Sequence, residues 1–277
     1  MTDSDADLAP YADDLAIIAQ ASHDAFQLYR QLSPHRNESY DNLVEESIGI
    51  AESTTSAITT LLTKKLHLAA IVLTRVRLEQ LIVFSYLVHE RPEDGFQPYS
   101  RYAPIEEYRA MRGVVDDPFV APHIPGPVDP DALNQKALDA QFGIDPGFDI
   151  TNSKYQPKWT KLNLYSMSQR RDKLAATAGW LYSKHIPLAS LYVAFYRTGS
   201  SPVHADGSML GPPFWGKVKG LDGVERNAAS FWSLLIPAYL AAYDSLQWYE
   251  ALRWFGVACD TEFASLTSRL IEDDRGA

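Results

Sequence analysis

The chain has a single cysteine, Cys259, among its 277 residues. Intrachain disulfides and cysteine-based zinc sites are thereby excluded, and the usage suits a reducing cytoplasm. Positive charge is also scarce: 25 lysines and arginines stand against 35 acids, a formal net charge of -10. No general basic field for nucleic acid follows from that balance, so any such contact must be local. Several signatures are missing too. There is no GxGxxG after a strand, no Walker-type loop with lysine, no HExxH and no GxSxG elbow. Strand alternation persists nowhere, although residues 216–223, Gly-Lys-Val-Lys-Gly-Leu-Asp-Gly, suit a small turn or hairpin. The start, Met1-Thr-Asp-Ser-Asp-Ala-Asp, lacks the basic flank and apolar run of a secretory signal. A cytoplasmic location is the expectation.

Long uninterrupted apolar runs are likewise absent. The longest candidate, residues 66–88, carries Arg75, Arg77 and Glu79 near its middle, each costly in hydrocarbon. It reads as a buried core helix. Residues 228–243 are short for a span and contain Pro237, Tyr239 and Tyr243, and they too read as core, with an interfacial membrane helix as the alternative. No membrane partner is expected.

What remains is helical periodicity. Apolar residues recur at near-helical spacing over 8–33, with Leu15, Ile18, Phe26 and Leu28, and Pro34 lies past the end. Ser39 or Asp41 is placed to cap a second helix reaching about Thr63. The apolar 66–88 helix follows and ends at Glu90-Arg-Pro-Glu-Asp-Gly95, where proline cannot donate the next bond and glycine permits a turn. Helices are expected again over 166–183 and 187–197. Residues 225–256 read as one long helix with Pro237 as a possible kink, and 261–273 as a final amphipathic one.

Between Phe96 and Trp159 nine prolines are spread among tyrosines, acids and glycines, a density that opposes long regular elements. Short helices are predicted at 104–112 and 129–141, the latter opening on Asp129-Pro-Asp. The prediction is an all-α multi-helix bundle, one domain over 1–277, with a proline-rich irregular insertion at about 91–160 that is ordered by its aromatics.

Chemistry-bearing candidates are few. An arginine and a following histidine with four to six residues between them occur twice, at Arg30/His35 and Arg197/His204, and roughly one such match arises by chance. The first pair closes a polar helix, where a cation complements the helix dipole. The second leaves an apolar helix and enters a loop, where functional groups are usually presented. Arginine can fork onto a phosphate and histidine titrates near neutrality, so Arg197 and His204 suit acid/base chemistry on a phosphodiester. Ser200 and Ser201 lie nearby, and Asp206 could orient the imidazole. A structural reading, a helix-end cation and a loop-packing histidine, stands beside this one.

Arg75 and Glu79 are four apart on one face of an apolar helix and should pair. They are either a structural ion pair or an anion ligand held in place by a carboxylate. His67, His89, His185 and His204 show no ligand spacing, so no metal and no cofactor are expected. Trp215, Trp232, Trp248 and Trp254 read as core or interface anchors.

The order Arg75-x-x-x-Glu79, a variable middle, Trp159, then Tyr-x-x-x-Tyr-Arg-x-x-x-Ser-x-x-His over residues 192–204 resembles a widespread bacterial all-helical domain of unknown function. The likeness covers about 43–210, and is more distantly similar to the HEPN superfamily of helical-bundle ribonucleases and toxins. HEPN ribonucleases act without metal, usually as two subunits facing across a cleft. That resemblance implies a homodimeric RNase of toxin or phage-defence type acting on RNA. Arg197 would neutralise the scissile phosphate and His204 would serve as acid or base, with Arg75, Glu79, Ser201 and Tyr196 supporting the site. Thr198 stands where HEPN proteins usually carry an amide, acid or imidazole. Gly199 and Pro202 interrupt the helix between the two groups. The competing reading is a non-catalytic protein that binds a partner or a small anion.

Overall fold

The computed structural model describes residues 12–33, 40–115, 129–149, 155, 158–180, 183–184, 186–196, 217–219, 225–227 and 236–264; for 12–19, 21–22 and the strand residues it describes the backbone alone. The chain is all-α, with one antiparallel pair of three-residue strands among the described residues. Helices run over α1 Ala12–Leu32, α2 Asp41–Thr63, α3 His67–His89, α4 Phe96–Val115, α5 Pro130–Ile144, α6 Leu164–Thr177, α7 Leu188–Leu191 and α8 Ile236–Trp254. A π-helical turn, Tyr192–Tyr196, continues α7.

The contacts divide the chain into two compact units, one of residues 1–89 and 164–277, the other of residues 90–163. In the first, α3 is central. Its surface is apolar on nearly every side, so it has no solvent face to keep and packs against α2, α6, α8 and the π-turn. Ile71, Leu78, Leu81 and Ile82 fill the core with Leu246, Leu252 and Trp248 of α8. Trp248 in turn meets Phe26 and Tyr29 of α1, at ring separations of 5.3 and 5.9 Å.

Two expected boundaries are met closely, at α2 and α3, but the cap of α2 differs. The residue before it is Tyr40, in the left-handed region at φ 74° and with no side-chain capping bond. Asp41 is buried instead and accepts a hydrogen bond from Trp254 Nε1 at 3.1 Å. Ser39 lies outside the described residues.

The stretch 225–256 is not one helix. Glu225–Asn227 is a strand, antiparallel to Lys217–Lys219 with Lys217 opposite Asn227. Pro237 is the second residue of α8 as described, a place where a missing N–H breaks no bond within that helix. Helical structure at the C-terminal end is described as far as residue 264, and the rest of the predicted 261–273 helix lies outside the described residues.

The second unit is more regular than its prolines suggest. The short helix predicted at 104–112 is a 20-residue one, α4, with Pro104 inside it. Pro98 lies in the first turn, where prolines are tolerated, and Pro104 is flanked by Tyr102 and Ile105, both buried. Burying those side chains offsets the bond that Pro104 cannot make. They form a small core with Ala137 of α5, closed by Tyr108, Ile144, Tyr155 and Trp159. Asp129 caps α5 as its sequence predicts, accepting from the backbone N–H groups of Asp131 and Ala132 at 3.1 Å each.

Candidate functional site

Arg75 and Glu79 do pair, with Nη2 2.9 Å from Oε1. The more informative contact lies across the bundle. Arg75 Nη2 also donates to the Tyr196 hydroxyl at 2.6 Å, and the guanidinium sits over the Tyr196 ring, 4.4 Å from its centroid. A helix cation is thus seated on the last residue of the π-turn, immediately before Arg197. The Arg75 side chain is largely buried, and among the described residues its Nε–H has no hydrogen-bond partner.

The π-turn shapes this contact. With hydrogen-bonded groups five residues apart, a π-helical turn brings residues four apart over one another. Tyr192 and Tyr196 stack at 4.4 Å with an interplanar angle of 16°, and Tyr165 of α6 leans on Tyr192 at 5.4 Å. The segment is pinned from its start. Asp172 of α6 accepts from the backbone N–H groups of Leu188 and Ala189, at 3.0 Å each, so its carboxylate satisfies donors that begin α7. Burial pushes the Tyr196 phenol pKa up; the hydrogen bond from Arg75 opposes this, while Glu79 adds to it. The net rise keeps the phenol protonated.

Of the residues expected at the site, the structure therefore brings Arg75, Glu79 and Tyr196 together. Arg197, Ser201 and His204 lie outside the described residues, as do Ser200, Asp206, His185 and His35. Arg30 is in the last turn of α1, exposed and 5.8 Å over the Phe26 ring, as a helix-end cation should be. Among the described residues no group of three or more His, Cys, Asp or Glu is placed to hold a metal ion, and no helix is long and apolar enough to cross a membrane.

Sequence reasoning missed a second polar cluster. Glu250 of α8, fully buried, accepts from Arg171 through Nε at 3.1 Å and through Nη2, from Ser183 Oγ at 2.9 Å, and from Ser85. His89 Nε2 lies 2.9 Å from the same carboxylate, which as an acceptor fixes that nitrogen as the donor. Burial by itself would push the Glu250 carboxyl up. Arg171, His89 and the serine outweigh it and hold the group down at about 2. Arg171 Nη1 further donates to the carbonyls of Ser183 and Ile186, at 3.0 and 2.9 Å. The cluster ties α3, α6 and α8 to the segment that enters α7.

A third buried pair, Arg77 Nη2 to Asp244 Oδ1 at 2.9 Å, joins α3 to α8, and Thr55 of α2 donates to the same oxygen at 3.0 Å. The signal for both was available in kind. A charge within an apolar helix, which singles out Arg75, also marks Asp244 and Glu250. Their partners are distant in sequence, and nothing local names them.

No curated protein and no solved structure matches the chain. A protein-family model does match, over residues 51–217, more than half the chain. The matched stretch holds α3 with Arg75 and Glu79, the second unit, Asp172 and the Tyr192–Tyr196 turn, so the contacts that build the site fall inside it. The chain belongs to the family of unknown function DUF5677.

Proposed function

We propose that the protein is a HEPN-like, metal-independent endoribonuclease, with Arg197 and His204 as its reacting pair and Arg75, Glu79, Tyr196 and Ser201 as the support. The observation that carries this reading is the 2.6 Å bond from Arg75 to the Tyr196 hydroxyl. It fixes the residue next to Arg197 against a second arginine, itself oriented by Glu79. A guanidinium held at that turn suits a phosphodiester, whose charge grows as it is attacked.

In the reaction, His204 takes the proton of an RNA 2′-hydroxyl and that oxygen attacks the adjacent phosphorus. The bond from phosphorus to the 5′-oxygen breaks, and the leaving oxygen takes up a proton. Arg197 neutralises the non-bridging oxygens. The products are a 2′,3′-cyclic phosphate and a 5′-hydroxyl. A homodimer in the cytoplasm and a role in toxicity or phage defence belong to the same reading.

The test is incubation of the purified protein with total RNA and tRNA in EDTA, beside its His204→Ala variant. Cleavage by the wild type alone supports the proposal, and equal cleavage by both or by neither counts against it. A second reading draws on the buried Arg75 Nε–H, which lacks a partner among the described residues. That donor suits a small anion bound between α3 and the π-turn without catalysis. Phosphate protection of the wild type but not of Arg75→Met, with no RNA cleavage, would favour it.

A further inference from the structure

A cavity of about 510 Å³ opens between α1, α2 and α8. It arises from the packing order: α1 and α2 both lean on α8, and more on it than on one another, so a gap is left between them with α8 as its floor. The volume is that of an ordinary small-molecule site, for which roughly 300–1,000 Å³ is usual. Arg75 and Tyr196 do not line it, so it is separate from the proposed nuclease site.

The floor is apolar by helical spacing. Pro237, Leu240, Ala241, Asp244 and Trp248 recur three or four residues apart, hence on one side of α8, and all are buried. Asp244, the one charge among them, is already matched: Arg77 pairs with it from within the core at 2.9 Å, and Thr55 donates to the same oxygen at 3.0 Å. The Trp248 N–H has no exposed surface, so the indole meets the cavity as a ring. Phe26 of α1 lies against that ring, 5.3 Å between centroids, and Leu62 adds an apolar group from α2.

The remaining polar groups of the lining sit toward solvent. His23, Glu52 and Ser56 are exposed, so they keep their water at the mouth and select no charge for the part of a guest that lies within. Thr59, Thr60 and Thr63, exposed too, turn their hydroxyl protons back onto α2, donating to the carbonyls of Thr55, Ser56 and Thr59 at 2.8–3.0 Å. A polar group carried down to the floor would give up water without gaining a partner, whereas an apolar body gains by leaving water.

We propose that this cavity binds a neutral, largely apolar small molecule, with its ring or alkyl body on the α8 floor between Phe26 and Leu62. Any polar group of its own stays at the mouth, among His23, Glu52 and Ser56.

The probe is N-phenyl-1-naphthylamine, a neutral dye that brightens in apolar surroundings. Fluorescence titration of the full chain should show saturable binding of one dye per chain, reversed by 1-decanol and not by sorbitol. Ser56→Trp and Thr59→Trp put a large ring into the cavity from exposed positions on α2, so both should fold as the wild type does and bind the dye roughly tenfold more weakly or worse. Ile50→Trp, at an exposed position of α2 outside the lining, should bind it as the wild type does. The proposal is overturned if the folded wild type takes up no dye saturably, if sorbitol displaces it, or if the two lining variants bind it as tightly as Ile50→Trp.

Discussion

Glu250 and Arg171 meet inside the bundle with no solvent contact, the carboxylate of α8 taking two hydrogen bonds from the guanidinium of α6. His89, Ser85 and Ser183 complete the shell around the acid. A charge stripped of water in this way persists only while each of its lone pairs is used.

Removing one member should therefore unfold the protein far more readily than deleting a surface charge. Arg171→Met leaves Glu250 ionisable and unmatched, and the expected cost is about 3–5 kcal/mol. Urea unfolding followed by circular dichroism measures it. A midpoint close to that of the wild type would contradict the assignment.

Acid sensitivity follows from the same carboxylate. Its folded pKa, about 2, lies below the ordinary value of 4.5. A depressed folded value means that the unfolded chain binds the proton more readily, so the stabilisation is full above about pH 4.5 and drains as pH falls toward about 2. Stability measured across that window should fall less steeply in Glu250→Gln than in the wild type, since the amide has no proton to take up.

Tyr196→Phe removes a hydroxyl that accepts from Arg75 while leaving the ring beneath the guanidinium. A loss of about 1 kcal/mol in thermal unfolding is expected. In a double-mutant cycle with Arg75→Met the two changes should cost less together than the sum of their separate effects, because they remove one interaction. Strict additivity would show that the two side chains do not interact in solution.

Cys259 should be inert in the native state. Burial and the neighbouring Asp260 push its thiol up to about 12, with Arg253 opposing them. Reaction with Ellman's reagent at pH 8 should be slow in buffer and fast in denaturant. Rapid reaction of the folded protein would place the thiol at the surface.

The sequence was most legible where one physical signal acted alone. The ends of α2 and α3 follow from apolar periodicity and from the turn at Arg91–Gly95, and the arginine and glutamate of α3 could be paired on spacing. The length of α4 was hidden because Pro98 and Pro104 read locally as breakers, whereas the tertiary core around Tyr102 and Ile105 sustains the helix. The strand at Glu225–Asn227 is set by its pairing with Lys217–Lys219, a partner that periodicity does not identify. At the candidate site the pattern gave Arg75, Glu79 and Tyr196 as members. It could not give the π-turn that stacks Tyr192 on Tyr196, nor the Asp172 carboxylate that starts the segment. The Glu250 cluster escaped for a related reason: Ser85, His89, Arg171 and Ser183 are gathered by packing alone.

The most direct test of the account is the chemistry of the RNA ends formed in EDTA by the wild type, Arg197→Ala and His204→Ala, with Tyr196→Phe beside them. The account predicts 2′,3′-cyclic phosphate and 5′-hydroxyl ends from the wild type, none from the Arg197 and His204 variants, and slowed cleavage with unchanged ends from Tyr196→Phe. RNA left intact by the folded wild type, or cut equally by the His204 variant, would contradict it.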